Sequence, residues 1–201
     1  MAGPVATVVF REKLTDSQMQ TIDHWLLSIS VVAEGSIGDR RVWIPGTAFG
    51  YPESEGHPFL VTLPDLEPHP DQELLYYEDE QEEVRSVLGY LPTHGVRLIA
   101  MVSGRISHCL LGHLSWHLAK EYGGLIDMEG TITGPFLPKL ISCDNAPDLE
   151  EIRALLSSFP GQVWEIFSEI EPEKLAPLPH HIVDPTFLEA WLKDPHFHMI
   201  K

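Results

Sequence analysis

One stretch in the middle of the chain leaves little freedom. Val96 to Val102 (Val-Arg-Leu-Ile-Ala-Met-Val) is the most strongly apolar run and reads as a strand, closed by Ser103-Gly104. Just after it, Ile106, Leu110, Leu114, Leu118 and Tyr122 recur every fourth residue, and Leu111 widens the stripe. That spacing places them on one ridge of a helix from Ile106 to Tyr122, which Gly123-Gly124 stops. Leu125 to Ile132 follows as another strand. A helix with one apolar ridge, held between strands, has to lay that ridge on a sheet. The chain is therefore expected to fold in helix and sheet layers.

The flanking sequence supplies the remaining elements. Val5 to Phe10 is β-branched and reads as the first strand. Thr15 and Gln18 form a capping-box pair ahead of Met19, Ile22, Trp25, Leu26 and Ile29, which predicts a helix from Asp16 to Val31 that Gly35 and Gly38 end. Arg41 to Ile44 and Pro58 to Leu63 are short strands. Asp148 to Ser158 reads as a helix, Gln162 to Ile170 as a strand, and residues 172–179 as a Pro-rich connector. Thr186 to Leu192 is a short helix with Pro185 at its first turn. The order is too irregular for a doubly wound parallel sheet. It predicts an α+β fold over residues 1–201 as a single domain. A mainly antiparallel sheet would carry helices on one face, as an elaborated ferredoxin-like core.

Charge restricts the partners. The chain holds 30 acidic residues against 13 Lys plus Arg, a net charge of −17. Nine of the acids lie between Asp65 and Glu83, with no Lys or Arg among them. Such a surface repels nucleic acid and anionic lipid and attracts basic protein surfaces. The first half of this stretch is broken by Pro64, Pro68 and Pro70, whereas Asp71 to Leu88 has neither Pro nor Gly and is read as a helix carrying Tyr76 and Tyr77. No apolar run approaches the ~20 residues of a membrane helix. The start of the chain has no basic, then apolar, secretory leader. Cys109 and Cys143 are the only cysteines, fewer than a disulfide framework needs. A cytoplasmic protein without a cofactor is expected.

Several groupings are candidates for chemistry. His113 and His117 share a helix face, but Leu114 stands where a zinc protease has its Glu, so they read as histidines at the rim of the core. His180-His181 with His196 and His198 form a second group, compatible with the metal site of a hydrolase. Asp127 and Glu129 fall on one side of a strand, where they serve a sugar, a metal or simply a polar face. No Gly-x-Ser-x-Gly elbow is present, and Cys109 lies inside an apolar helix. Tyr76 and Tyr77 beside Glu78, Asp79, Glu80, Glu82 and Glu83 combine aromatic anchors with uncompensated charge, the composition of a protein contact.

Two segments carry a resemblance. One is Ser107-His108-Cys109-Leu110-Leu111-Gly112-His113-Leu114, leading to Tyr122-Gly123-Gly124-Leu125-Ile126-Asp127-Met128-Glu129-Gly130. The other runs from His181 to Leu192 and continues as Pro195-His196-Phe197-His198-Met199-Ile200-Lys201. Together they resemble a bacterial family of about this length, known only as a domain of unknown function. The resemblance implies a bacterial cytosolic protein and assigns no role to any single residue. In size, acidity and lack of a catalytic motif the chain also looks like the immunity proteins of polymorphic toxin systems, including those delivered by type VI secretion. The expectation is an antitoxin that covers the basic active site of a cognate toxin, most simply a nuclease. The alternatives are the metal-dependent hydrolase and a non-catalytic regulatory or interaction module.

Overall fold

The computed structural model describes residues 3–64, 74–134, 149–167 and 179–200. Eight strands form one sheet. In chain order they are β1 (Val5–Phe10), β2 (Val32–Ser36), β3 (Asp39–Pro45), β4 (Gly56–Thr62), β5 (His94–Ala100), β6 (Leu125–Asp127), β7 (Val163–Ile166) and β8 (His180–Val183). Their spatial order is β2-β3-β4-β5-β1-β6-β8-β7, and each neighbouring pair is antiparallel. The helices are α1 (Asp16–Ile29), α2 (Glu78–Leu88), α3 (Arg105–Tyr122), α4 (Leu149–Leu156) and α5 (Pro185–Trp191). The fold is α+β. Within it, β1-α1-β4-β5-α3-β6 with strand order β4-β5-β1-β6 is the β-α-β-β-α-β arrangement of a ferredoxin-like core. The β2–β3 hairpin extends one side of the sheet, and β8 with β7 extends the other.

Side-chain alternation gives the sheet two different faces. Ala6, Val8 and Phe10 of β1, Val96, Leu98 and Ala100 of β5, and Phe59 and Val61 of β4 belong to one buried cluster. The α3 ridge lies on it: Leu110, Leu111, Leu114 and Leu118 are fully buried, and Ile106 and Tyr122 pack at its rim. Each such leucine contributes about 2 kcal/mol of burial. Ile22 and Leu26 of α1 and Phe187, Leu188 and Trp191 of α5 complete this layer. A second, smaller cluster holds Val9, Ile182 and Ile166 with Leu75, Tyr76 and Val84. Val9 and Val8 point to opposite faces, so α2, which supplies Val84, covers the reverse of the sheet.

Local signals explain the boundaries. Thr15 Oγ1 accepts from Gln18 N at 3.3 Å and Thr15 N donates to Gln18 Oε1 at 2.9 Å, the capping box that starts α1. Cys109 is buried in α3 as a free thiol, and Cys143 lies outside the described residues. Two readings need correction. Gly35 and Gly38 do not follow a helix end directly: they belong to the β2–β3 hairpin, whose first strand is short, exposed and without alternation. Helix α2 begins at Glu78: Leu74 to Tyr77 ahead of it are not helical, and Asp71 to Glu73 lie outside the described residues. Tyr77 is extended (φ −67°, ψ 157°), and its N–H donates to Glu80 Oε2 at 3.1 Å, which sets the first turn there.

The α3–β6 turn relies on two glycines for different reasons. Gly123 is left-handed (φ 69°), with open space where a Cβ would stand. A Cβ on Gly124 would meet Val9 O at 2.9 Å, Val8 Cγ1 at 2.9 Å and Phe10 Cε1 at 2.8 Å. Gly123→Ala is expected to cost about 1 kcal/mol through backbone strain. Gly124→Ala is expected to cost about 2 kcal/mol or more through overpacking against the central strand. Chemical denaturation of both variants checks the order, and equal losses would contradict the close approach at Gly124.

Candidate functional site

Strand register assembles the site. Thr7 of β1 lies opposite Arg97 of β5 on one side and opposite Asp127 of β6 on the other. Directly opposed residues share a face, so Arg97, Thr7 and Asp127 form one polar row across the three central strands. Ile182 and Trp164 continue the row on β8 and β7 and turn it apolar. The row lies on the reverse face, away from α3.

Each polar group in this row is held by others. The chain leaves β6 at Asp127, and Glu129 takes a left-handed backbone (φ 51°), uncommon for a residue with a side chain. Its N–H donates to Asp127 Oδ1 at 2.8 Å. That bend turns the Glu129 carboxylate back over the sheet. Its Oε1 accepts from Arg97 Nε at 2.8 Å and from the Thr7 hydroxyl. Burial pushes the Glu129 carboxyl above its ordinary range, while Arg97 and the Thr7 hydrogen bond pull it back and Asp127 adds to the rise.

Tyr76 closes the other side. It is only 4% exposed, and its hydroxyl donates to Asp127 Oδ2 at 3.1 Å. Burial, and then the Asp127 charge, hold the phenol well above its ordinary pKa, so it remains a donor. His180 Nε2 stands 3.6 Å from the same carboxylate oxygen, beyond hydrogen-bond range. That nitrogen is buried and has no hydrogen-bond partner among the described residues. Together Thr7, Tyr76, Arg97, Asp127, Glu129 and His180 line a cavity of about 460 Å³, with Leu74, Leu75, Tyr77 and Glu80 around it. Tyr77 is 67% exposed and Leu74 40% exposed.

The residues singled out from the sequence divide between this cavity and its surroundings. Tyr76, Tyr77 and Glu80 are brought to the cavity, where Asp127, Glu129 and His180 also converge. Tyr76 is part of the interior, whereas Tyr77 is a surface ring. Glu78 and Glu82 are exposed on α2 and Glu83 is half-buried; the side chain of Asp79 lies outside the described residues. The four C-terminal histidines are not brought together. His180 and His181 point to opposite faces because they are consecutive in β8. His196 is exposed, and the His198 ring lies edge-on to Trp191 at 6.2 Å. Among the described residues no three His, Cys, Asp or Glu are grouped to hold a metal. His113 and His117 sit at the core rim, stacked on Phe49 at 5.1 Å and Trp25 at 4.0 Å, with the Tyr51 hydroxyl 3.1 Å from His113 Nε2. Burial lowers the pKa of both.

Sequence reasoning passed over Thr7 and Arg97. The signal was present: Arg97 is the lone charge in the most apolar strand, and a charge there needs a partner on the same face.

The sequence profile of DUF6368, a family of unknown function, matches residues 2–201, and the chain belongs to that family. No curated protein and no solved structure matches it. Among the described residues no helix is long and apolar enough to cross a membrane.

His181 offers a pH test of the β8 arrangement. It is fully buried, and its Nδ1 accepts the Ile132 N–H at 2.9 Å. Burial lowers its pKa to about 4, with Glu165 opposing. A base whose folded pKa is depressed stabilises the fold above its unfolded pKa of about 6.5 and loses that contribution as pH falls toward 4. The loss is on the order of 3 kcal/mol. His181→Asn, which keeps an acceptor near Nδ1, is expected to flatten the stability profile between those pH values, measured by urea denaturation across pH. A parallel profile would show that His181 does not titrate with unfolding.

Proposed function

We propose that this protein is an immunity-type binding protein, which neutralises a cognate bacterial toxin by placing an acidic surface over its basic active site. The observation that carries this reading is the continuity of the cavity with α2. Tyr77 and Glu80 line the cavity and also begin the helix. Glu78, Gln81, Glu82, Arg85 and Ser86 line a second depression farther along the same helix. Acidic side chains therefore run from the sheet to the helix surface, with the exposed Tyr77 ring between them. A net charge of −17 supports long-range steering toward a basic partner. A nuclease fits this best, because its cleft must carry Lys and Arg to hold phosphate.

The partner to test is the product of the adjacent gene. Co-expression with this protein should relieve the toxicity of that product, and the two should co-purify. Their Kd should rise about tenfold or more between low and physiological salt. Glu78→Lys with Glu82→Lys should slow association. A toxic neighbour left fully active, with no complex formed, would overturn the reading.

A further inference from the structure

We infer that the cavity over Thr7 is a socket for one guanidinium group, supplied by an arginine of the partner; this rests on the binding-protein reading above. Its lining is a set of acceptors with too few donors. Glu129 Oε1 takes the Arg97 and Thr7 donors, while Oε2 has no hydrogen bond among the described residues. His180 Nε2 is buried without a hydrogen-bond partner among the described residues and accepts when the ring proton is on Nδ1. Asp127, itself 5% exposed, has two firm donors, the Glu129 N–H and the Tyr76 hydroxyl, for its two oxygens, leaving lone pairs over.

Charge selects the occupant. Asp127, Glu129 and Glu80 face the cavity, and among the described residues Arg97 is the one Lys or Arg in its lining. An anion meets net repulsion there, and a neutral polyol leaves the excess negative charge unbalanced. A guanidinium is cationic, carries five N–H donors and accepts nothing, so it complements carboxylate and imidazole acceptors without adding another. The mouth favours a flat cation over a compact ammonium. The exposed Tyr77 ring and Leu74 offer surfaces on which a guanidinium stacks, while a strongly hydrated lysine gains less from them. At about 460 Å³ the cavity admits the arginine head and its stem.

The probe is N-acetyl-L-arginine methylamide, titrated into the full-length protein and followed by backbone amide NMR. The matching citrulline and lysine derivatives serve as comparisons. Saturable shifts at Thr7, Arg97, Asp127 and His180 are expected with the arginine probe, weaker with lysine and absent with citrulline. Glu129→Gln should weaken the arginine probe by about tenfold, whereas Glu34→Gln, an exposed charge loss on β2, should not. Shifts scattered over the surface, or citrulline binding equal to arginine, would overturn the socket even if no variant folds, because wild-type protein suffices for that comparison. Two further outcomes separate the socket from the reading beneath it. Full neutralisation of a toxin by Glu129→Gln, with unchanged affinity, sinks the socket and leaves the immunity reading standing. Saturable arginine binding in a protein that neutralises nothing keeps the guanidinium site and removes the toxin as its source.

Discussion

The structure depends on one strand covered on both faces. β1 runs through the centre of the sheet, between β5 and β6. Its lower face, Ala6, Val8 and Phe10, is the floor on which α3 rests. Its upper face carries Thr7, and around Thr7 stand Arg97, Asp127 and Glu129. Charges at the centre of a sheet are tolerable only when paired and hydrogen-bonded. Here the left-handed turn at Glu129 and the inward Tyr76 supply those bonds. Removing one member would leave another charge in a poorly solvated place, so the network and the fold are tied together.

That dependence explains which parts were legible in the sequence. β1 and the α3 ridge are local patterns, and both appear where β-branching and the four-residue spacing place them. The Thr15–Gln18 cap is equally local. β2 was hidden because Val-Ala-Glu-Gly-Ser is mostly exposed and has no alternation to show. β8 was hidden by its histidines, which draw attention as ligands while serving as strand residues. Arg97 stood out locally as a lone charge, but its partners in the polar row could not be read from local pattern. Thr7 is 90 residues from Arg97 and 122 from Glu129, and only strand register joins them. Asp127 and Glu129 were visible as a pair, but the pair acquires meaning from Tyr76, whose inward direction depends on the extended chain before α2.

The acidic character also divides into two physical kinds. On α2, Glu78 and Glu82 are exposed and hydrated, and they act at a distance through the field they create. In the cavity the carboxylates are held in fixed geometry, and their influence is short-ranged and directional. The first kind brings a partner near and tolerates many arrangements. The second accepts or rejects a particular chemical group. A bulk charge of −17 says nothing about this division, which comes from the hydrogen bonds that fix Asp127 and Glu129 in place.

The position of β1 has a consequence for how the chain is made. Of the strands in this sheet, β1 is synthesised first, and it lies at the centre of the finished sheet. Its neighbours β5 and β6 are synthesised much later: Thr7 waits 90 residues for Arg97. Until then its Val-Ala-Thr-Val-Val-Phe segment has two open edges and an apolar face with nothing to cover it. Such non-local pairing folds slowly and leaves the nascent chain exposed to wrong partners. The same centrality that anchors the folded sheet thus makes the Val5–Phe10 segment the part of it most in need of protection during synthesis.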